Sequence, residues 1–220
     1  MKQNSPIIKI KNLTKVFNRI HVVDDLSVNF LAGERIALIG QNGAGKTTLI
    51  RCILGHYVYD GDVSVLGMNP RLHRKNVLKR VGFIPQLPPP LRLTVKELLE
   101  FFSRLTKTKK DAFIEVADSL GLSVKEHWTK PFFKLSGGMK QKLLISLALG
   151  RDIDILIMDE PTANLDPKAR EKFIELLSRF NKKTLMILSS HRISEIENLI
   201  SRVVEMDYGR AALDKILIKI

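Results

Sequence analysis

Eight consecutive residues, Gly40-Gln41-Asn42-Gly43-Ala44-Gly45-Lys46-Thr47, set glycines, a lysine and a hydroxyl in the spacing G-x-x-x-x-G-K-[ST]. Each residue type has a task in holding a phosphate chain. Glycines let the backbone curl tightly, so that its N–H groups point inward at phosphate oxygens. Lys46 supplies a full positive charge to the terminal phosphates, and the Thr47 hydroxyl can ligate Mg2+. Further along, the apolar run Ile155-Leu156-Ile157-Met158 ends in two carboxylates, Asp159-Glu160. A buried strand delivers such carboxylates to the sheet edge where open α/β folds bind ligands. Asp159 then suits Mg2+, directly or through water, and Glu160 is placed to polarise a water for attack on a γ phosphate. Adjacent acids after a strand are often only a solvated loop; the phosphate loop in the same chain is what gives this pair its meaning.

These residues need elements to hold them. Arg35–Ile39 is a short apolar strand that runs straight into the phosphate loop, and the apolar stretch Leu49–Leu54, closed by Gly55, follows it. Strand, glycine loop and helix open an α/β nucleotide-binding core. The helix also offers its N-terminus to the phosphates. Val22–Asp25 and Leu26–Phe30 are expected as strands with a turn between them. Further strands are expected at Val63–Leu66, Val81–Pro85, Ile153–Met158, Leu185–Leu188 and Val203–Met206. Ile155–Met158 and Leu185–Leu188 are continuously apolar, as strands covered on both faces of a mostly parallel sheet should be, with a helix after each. Asp166 is placed to cap, and Pro167 to open, a helix whose Ala169, Phe173, Leu176, Leu177 and Phe180 keep helical period.

The middle third changes character. Thr94 and Glu97 have capping-box spacing, and Val95, Leu98, Leu99, Phe102 and Leu105 follow the period of an amphipathic helix. A second helix runs from about Asp111 to Leu120 and ends at Gly121. No strand signal appears between Thr94 and Lys134, so a helical lobe inserted into an α/β core is the economical reading.

Bulk properties agree with a globular enzyme. The 220 residues suit one domain carrying an inserted lobe. No apolar run approaches the ~20 residues of a membrane helix, and the N-terminus has no stretch of signal-peptide length. The chain is expected in the cytosol unless a partner carries it to a membrane. A single cysteine, Cys52, excludes an internal disulfide framework and sits in an apolar segment as a buried thiol. Thirty-six basic against 23 acidic residues leave a net charge of +13, which suits an anionic partner. The lysines are spread along the chain, so a solvated basic surface explains the excess equally well.

With both motifs in hand, the rest of the chain resembles the ATP-binding cassette family, over nearly its whole length. Leu135-Ser136-Gly137-Gly138-Met139-Lys140-Gln141 looks like the family's signature sequence. Physically it is another anion site, with Ser136 and two glycines ahead of an apolar helical stretch, Leu143–Leu149. The resemblance implies a P-loop NTPase core with a mostly parallel sheet, an antiparallel β subdomain and an inserted helical signature lobe. Residues 1–86 and 150–220 would form the core and about 87–149 the lobe of a single ATPase domain.

The resemblance also implies roles. ATP would be held by the residues from Gly40 to Thr47, with Thr48 beside them, and by Ser136, Gly137 and Gly138 acting on the nucleotide of the opposite subunit. The working unit would then be a homodimer enclosing two ATP. Gln86 resembles the glutamine that touches Mg2+ and the attacking water, and His191 the switch histidine at the γ phosphate. Asn164-Leu165-Asp166 resembles the loop that crosses the dimer interface, and Phe17 the aromatic that stacks on adenine. On their own, Gln86 is an exposed polar residue and His191 a surface histidine; their order and spacing relative to the strong motifs favour the family roles. For Phe17 a core phenylalanine is the alternative. Lysine at position 142 stands where arginine is frequent. The sequence stops soon after Asp207-Tyr208-Gly209-Arg210, and the C-terminal regulatory domain of some importer subunits is expected to be absent.

The expectation is therefore an ATPase subunit at the cytoplasmic face of the inner membrane, working beneath a separate membrane-spanning partner. No nucleic acid is expected to bind. The layout, and the stretch Phe101-Phe102-Ser103-Arg104-Leu105 after Gln86, look most like subunits of two-component exporters. A soluble ATPase of the same superfamily acting on nucleic acid or ribosomes is the alternative, and a subunit that binds ATP without hydrolysing it is a third reading. The cargo is not encoded here.

Overall fold

The computed structural model describes residues 5–190 and 196–217. They form two compact units, one of residues 5–81, 154–159, 181–190 and 196–217, the other of Gly82–Ile153 and Glu160–Phe180.

The first unit holds two sheets. Strands β1 (Ile8–Phe17), β2 (Ile20–Phe30) and β4 (Asp60–Val65) form an antiparallel sheet with β1 in the middle. Ile8, Ile10 and Leu13 of β1 face Phe30, Val28 and Leu26 of β2 in register, and Val65 and Val63 of β4 complete the same apolar face. All eight side chains are buried, each contributing roughly 1.5–3 kcal/mol from apolar burial. The turn expected between Val22–Asp25 and Leu26–Phe30 is instead a bulge inside one continuous strand. Asp25 takes a positive φ of 48°, which a short polar side chain tolerates. Its amide donates to Thr14 Oγ1 at 3.1 Å and its carboxylate accepts from Asn12 Nδ2 at 2.8 Å, so pairing with β1 continues past the irregularity.

The second sheet of this unit runs in the order β6 (Ile155–Asp159), β7 (Leu185–Ser189), β3 (Arg35–Ile39), β8 (Arg202–Asp207) and β9 (Arg210–Ile216). The first four strands are parallel and β9 returns antiparallel to β8. Every residue of β6 and β7 is buried, as the continuous apolar runs demand. Strand β9, which the apolar pattern does not announce, is exposed along its whole length. Helix α1 (Lys46–Ile53) follows β3, and α2 (Arg74–Lys79) follows β4.

The chain passes from the first unit to the second within β5 (Val81–Ile84). The second unit is helical beyond it: α3 (Val95–Thr106), α4 (Lys110–Ser119), α5 (Gly137–Leu149) and α6 (Pro167–Arg179). The Thr94 side chain accepts from the Glu97 amide while Glu97 Oε2 accepts from the Thr94 amide at 2.8 Å, a complete capping box. That reciprocal bonding holds the Glu97 carboxyl below its ordinary range. Val95, Leu98 and Leu99 of α3 join Phe113, Phe132, Leu143 and Leu147 in one core, with Phe102 packed at its margin. Leu105, expected on the same face, is exposed. No helix among the described residues is long and apolar enough to cross a membrane.

Candidate functional site

Strand β3 ends at Ile39 and the chain enters the phosphate loop at once. Gly40, Gly43 and Gly45 hold φ values of 138°, 86° and 101°, all in the region open to glycine. The loop also needs the missing side chains. A Cβ on Gly40 would lie 2.2 Å from the Met206 carbonyl oxygen, and one on Gly45 2.4 Å from that of Val22. Gly45 caps α1, whose first residue is Lys46. The Lys46 ammonium is buried and donates to the carbonyls of Gly40 at 2.6 Å and Gln41 at 2.9 Å. It therefore reaches back across the loop, where its charge faces any group the loop encloses. Gln41, Asn42 and Gly43 are exposed, and Thr47 and Thr48 half-buried, at the open side of this cradle.

Asp159 is brought to the same sheet edge by register. Leu38 of β3 pairs with Ser189 of β7, and Ser189 pairs with Asp159 at the end of β6. One strand thus separates the carboxylate from the strand that feeds the phosphate loop, roughly 10 Å at ordinary strand spacing. Asp159 is 3% exposed and accepts the Ser189 hydroxyl at 2.6 Å. The donors available here, the Thr47 hydroxyl and the Asp159 carboxylate, are all oxygen. That set fits Mg2+, which binds few protein oxygens and keeps waters and substrate phosphates as its other ligands.

Glu160 follows directly and adopts φ 47°, a left-handed conformation that costs a non-glycine residue about 1–3 kcal/mol. Its carbonyl accepts from the Ala163 amide at 3.2 Å and that of Thr162 from Leu165 at 3.1 Å, winding residues 160 to 165 into consecutive turns. Asp166 then caps α6 by accepting from the Ala169 amide at 2.9 Å, with Pro167 in the first turn.

Within the second unit, the N-terminus of α5 packs against these turns. Ser136 is its cap, accepting from the Met139 amide at 3.2 Å, and Ser136 and Gly137 are exposed. A Cβ on Gly138 would sit 3.0 Å from the Asn164 carbonyl oxygen, a close contact that a larger residue could make only if the turn gave way by a few tenths of an ångström. Gln141 Nε2 donates to the Pro161 carbonyl at 2.9 Å, and Lys142 Nζ lies 2.9 Å from Asp166 Oδ2. That ammonium, together with the cap bond, holds the Asp166 carboxyl below its usual range.

Phe17, at the end of β1, is 38% exposed. Its ring meets that of Tyr57 edge-on, 5.2 Å between centroids, with Lys15 Nζ 4.5 Å from its own centroid. Arg51 donates to the Tyr57 hydroxyl at 2.7 Å. The ring is therefore a propped surface feature and not a core residue. Tyr57 and Arg51 lie outside every motif, and only their types, a cation in the last turn of α1 and an aromatic after it, hinted at this cluster. Gln86 is exposed, two residues past β5. His191 lies outside the described residues. The Cys52 thiol is buried and burial pushes it up to about 11, which removes it from chemistry at neutral pH.

Residues 23–163 match the family described as ABC transporter. Over 213 residues the chain is 39% identical to the bacitracin transport ATP-binding protein BcrA of Bacillus licheniformis, covering 94% of this chain and 68% of that one. It is 33% identical over 219 residues to the Nod factor export ATP-binding protein I of Ralstonia nicotianae, covering 94% of this chain and 66% of the relative. The chain thus spans about two thirds of the length of these relatives. Among solved structures, the ATP binding subunit of an ABC transporter superposes with a TM-score of 0.84 at 26% identity, covering 96% of this chain and 90% of that one.

Proposed function

The chain belongs to the ABC transporter family, and from that premise we propose that it is the ATP-hydrolysing subunit of a transporter, working as two identical copies beneath a separate membrane-spanning subunit. The observation that carries the reading is the shared sheet edge: the cradle closed by Lys46 and the buried carboxylate of Asp159 stand one strand apart. Phosphate binding and metal binding are thereby built into one rigid element.

ATP enters with its phosphates in the loop from Gly40 to Thr47, with Thr48 alongside, and with its adenine on Phe17. Lys46 and the N-terminal amides of α1 hold the β and γ oxygens. Thr47, Asp159 and Gln86 would hold Mg2+, which would supply positive charge against the phosphates. Glu160 takes a proton from the attacking water, with His191 at the γ phosphate. Ser136, Gly137 and Gly138 at the α5 N-terminus face the ATP of the second copy, and Asp166 and its turn lie at the same interface. Residues 1–220 act in this reading as one ATPase domain, 1–86 and 150–220 as core and 87–149 as lobe. Its place is peripheral, at the cytoplasmic face of the cell membrane, and its nearest function is export, the activity in the name of one of its relatives.

Isolation of the tagged chain from gently solubilised native membranes, followed by mass spectrometry, tests the reading. A polytopic membrane protein in stoichiometric amount is expected. Ribosomal or nucleic-acid-bound partners, with no membrane protein, would contradict the transporter assignment.

A further inference from the structure

We propose that Gln141 is a positioning residue for Glu160, and this rests on the hydrolytic role assigned to that carboxylate above. Glu160 sits at φ 47°, and a non-glycine residue holds such a conformation only where its surroundings enforce it. Pro161 follows with its φ fixed by the ring. Onto that proline's carbonyl Gln141 Nε2 donates at 2.9 Å, from the second turn of α5.

Packing does not call for a glutamine at this place. Gln141 is fully buried, and its Oε1 has no hydrogen-bond partner among the described residues. A leucine of similar volume would avoid the desolvation of that unpaired oxygen. What the carboxamide adds is a donor aimed at Pro161. The neighbouring contacts show how the same helix grips the rest of the loop. Lys142 holds Asp166 at 2.9 Å, and Gly138 lies against the Asn164 carbonyl. Gln141 holds the end that carries the carboxylate. Without its bond, the Glu160–Pro161 backbone is freer to relax toward ordinary φ, and the carboxylate swings with it. Orientation of an attacking water is sensitive to displacements of this kind, whereas the groups that bind ATP are untouched.

The test is steady-state ATP hydrolysis by the full chain carrying Gln141→Leu, beside ATP-driven dimerisation of Glu160→Gln with and without Gln141→Leu. The expected result is a kcat lower by about ten- to a hundredfold, with KM within about twofold. In the Glu160→Gln background the second substitution should leave the ATP-driven dimer unchanged, because the carboxylate it positions is already gone. A kcat within about twofold of the unmodified chain would overturn the proposal. So would loss of the dimer in the double variant, which would put the role of Gln141 in the signature helix itself. Should Gln141→Leu fail to fold, Gln141→Met has similar length and no donor, and the same outcomes apply. ATP binding without any turnover by the unmodified chain would overturn the ATPase reading, and this inference with it.

Discussion

The hydroxyl of Ser189 donates to Asp159 across 2.6 Å, between residues paired in register at the ends of β7 and β6. Both are almost completely buried, and a buried carboxylate depends on such donors for its orientation. Replacing Ser189 by alanine should leave Asp159 in place but less firmly aimed. The Mg2+ concentration at half-maximal ATP hydrolysis is expected to rise by about tenfold, the usual scale for removing a hydrogen bond that orients a metal ligand. An Mg2+ titration of the hydrolysis rate reads this directly.

Lys46→Ala removes the charge that closes the phosphate cradle. Its bonds go to the loop's own carbonyls, so the sheet and α1 should survive the change. Binding of a fluorescent ATP analogue is expected to weaken by about a hundredfold, about 2.7 kcal/mol, with circular dichroism unchanged.

Phe17→Ala should weaken ATP binding by about tenfold, since stacking on one base is worth about 1–3 kcal/mol. Phe17→Tyr keeps the ring and should bind within about twofold of the unmodified chain. Inorganic triphosphate, which has no base, should bind both variants and the parent equally. Competition assays with the two ligands separate stacking from a general loss of fold.

Burial raises the Cys52 thiol from an ordinary 9.0 to about 11. A raised folded value means that the native state keeps its proton while the unfolded chain loses it. The stability this supplies is complete below about pH 9 and is lost as pH climbs through about 11. Denaturant midpoints measured across that window should fall for the parent, and fall less for Cys52→Ala. In the same way, iodoacetamide at pH 8 should label the thiol only as the protein unfolds.

Much of the site was legible because its chemistry is local. The motif's glycines, lysine and hydroxyl lie within eight residues; in the structure Gly40, Gly43 and Gly45 take positive φ and Lys46 turns back to the Gly40 carbonyl. Caps are equally local, so Thr94 and Asp166 could be read from four residues each. The apolar runs of β6 and β7 were legible because burial on both faces leaves no alternative.

What escaped depends on pairing over distance. Strand β1 alternates only as far as Ile10, because Asn12 at φ 50° inserts a bulge that breaks the period before Leu13. The acid pair Asp24-Asp25 resembles a turn, yet inside the strand side chains of β1 satisfy Asp25 and Arg210 of β9 satisfies Asp24. Strand β9 has both faces in water and so no apolar rhythm. Leu105 keeps helical period but lies beyond the reach of the core that Leu98 and Leu99 enter. Gln141 was visible only as a member of the signature string; its bond to Pro161 joins residues twenty apart, which no local pattern announces.

The central claim is that Glu160 activates water for ATP hydrolysis between two copies of this chain. The direct measurement is phosphate release by Glu160→Gln, with light scattering of the same sample in the presence of ATP and Mg2+. The account predicts hydrolysis reduced by at least about a hundredfold with ATP binding intact, and a stable dimer that the parent forms only in passing. Hydrolysis at the parent's rate, or a variant that binds ATP and stays monomeric, would contradict it.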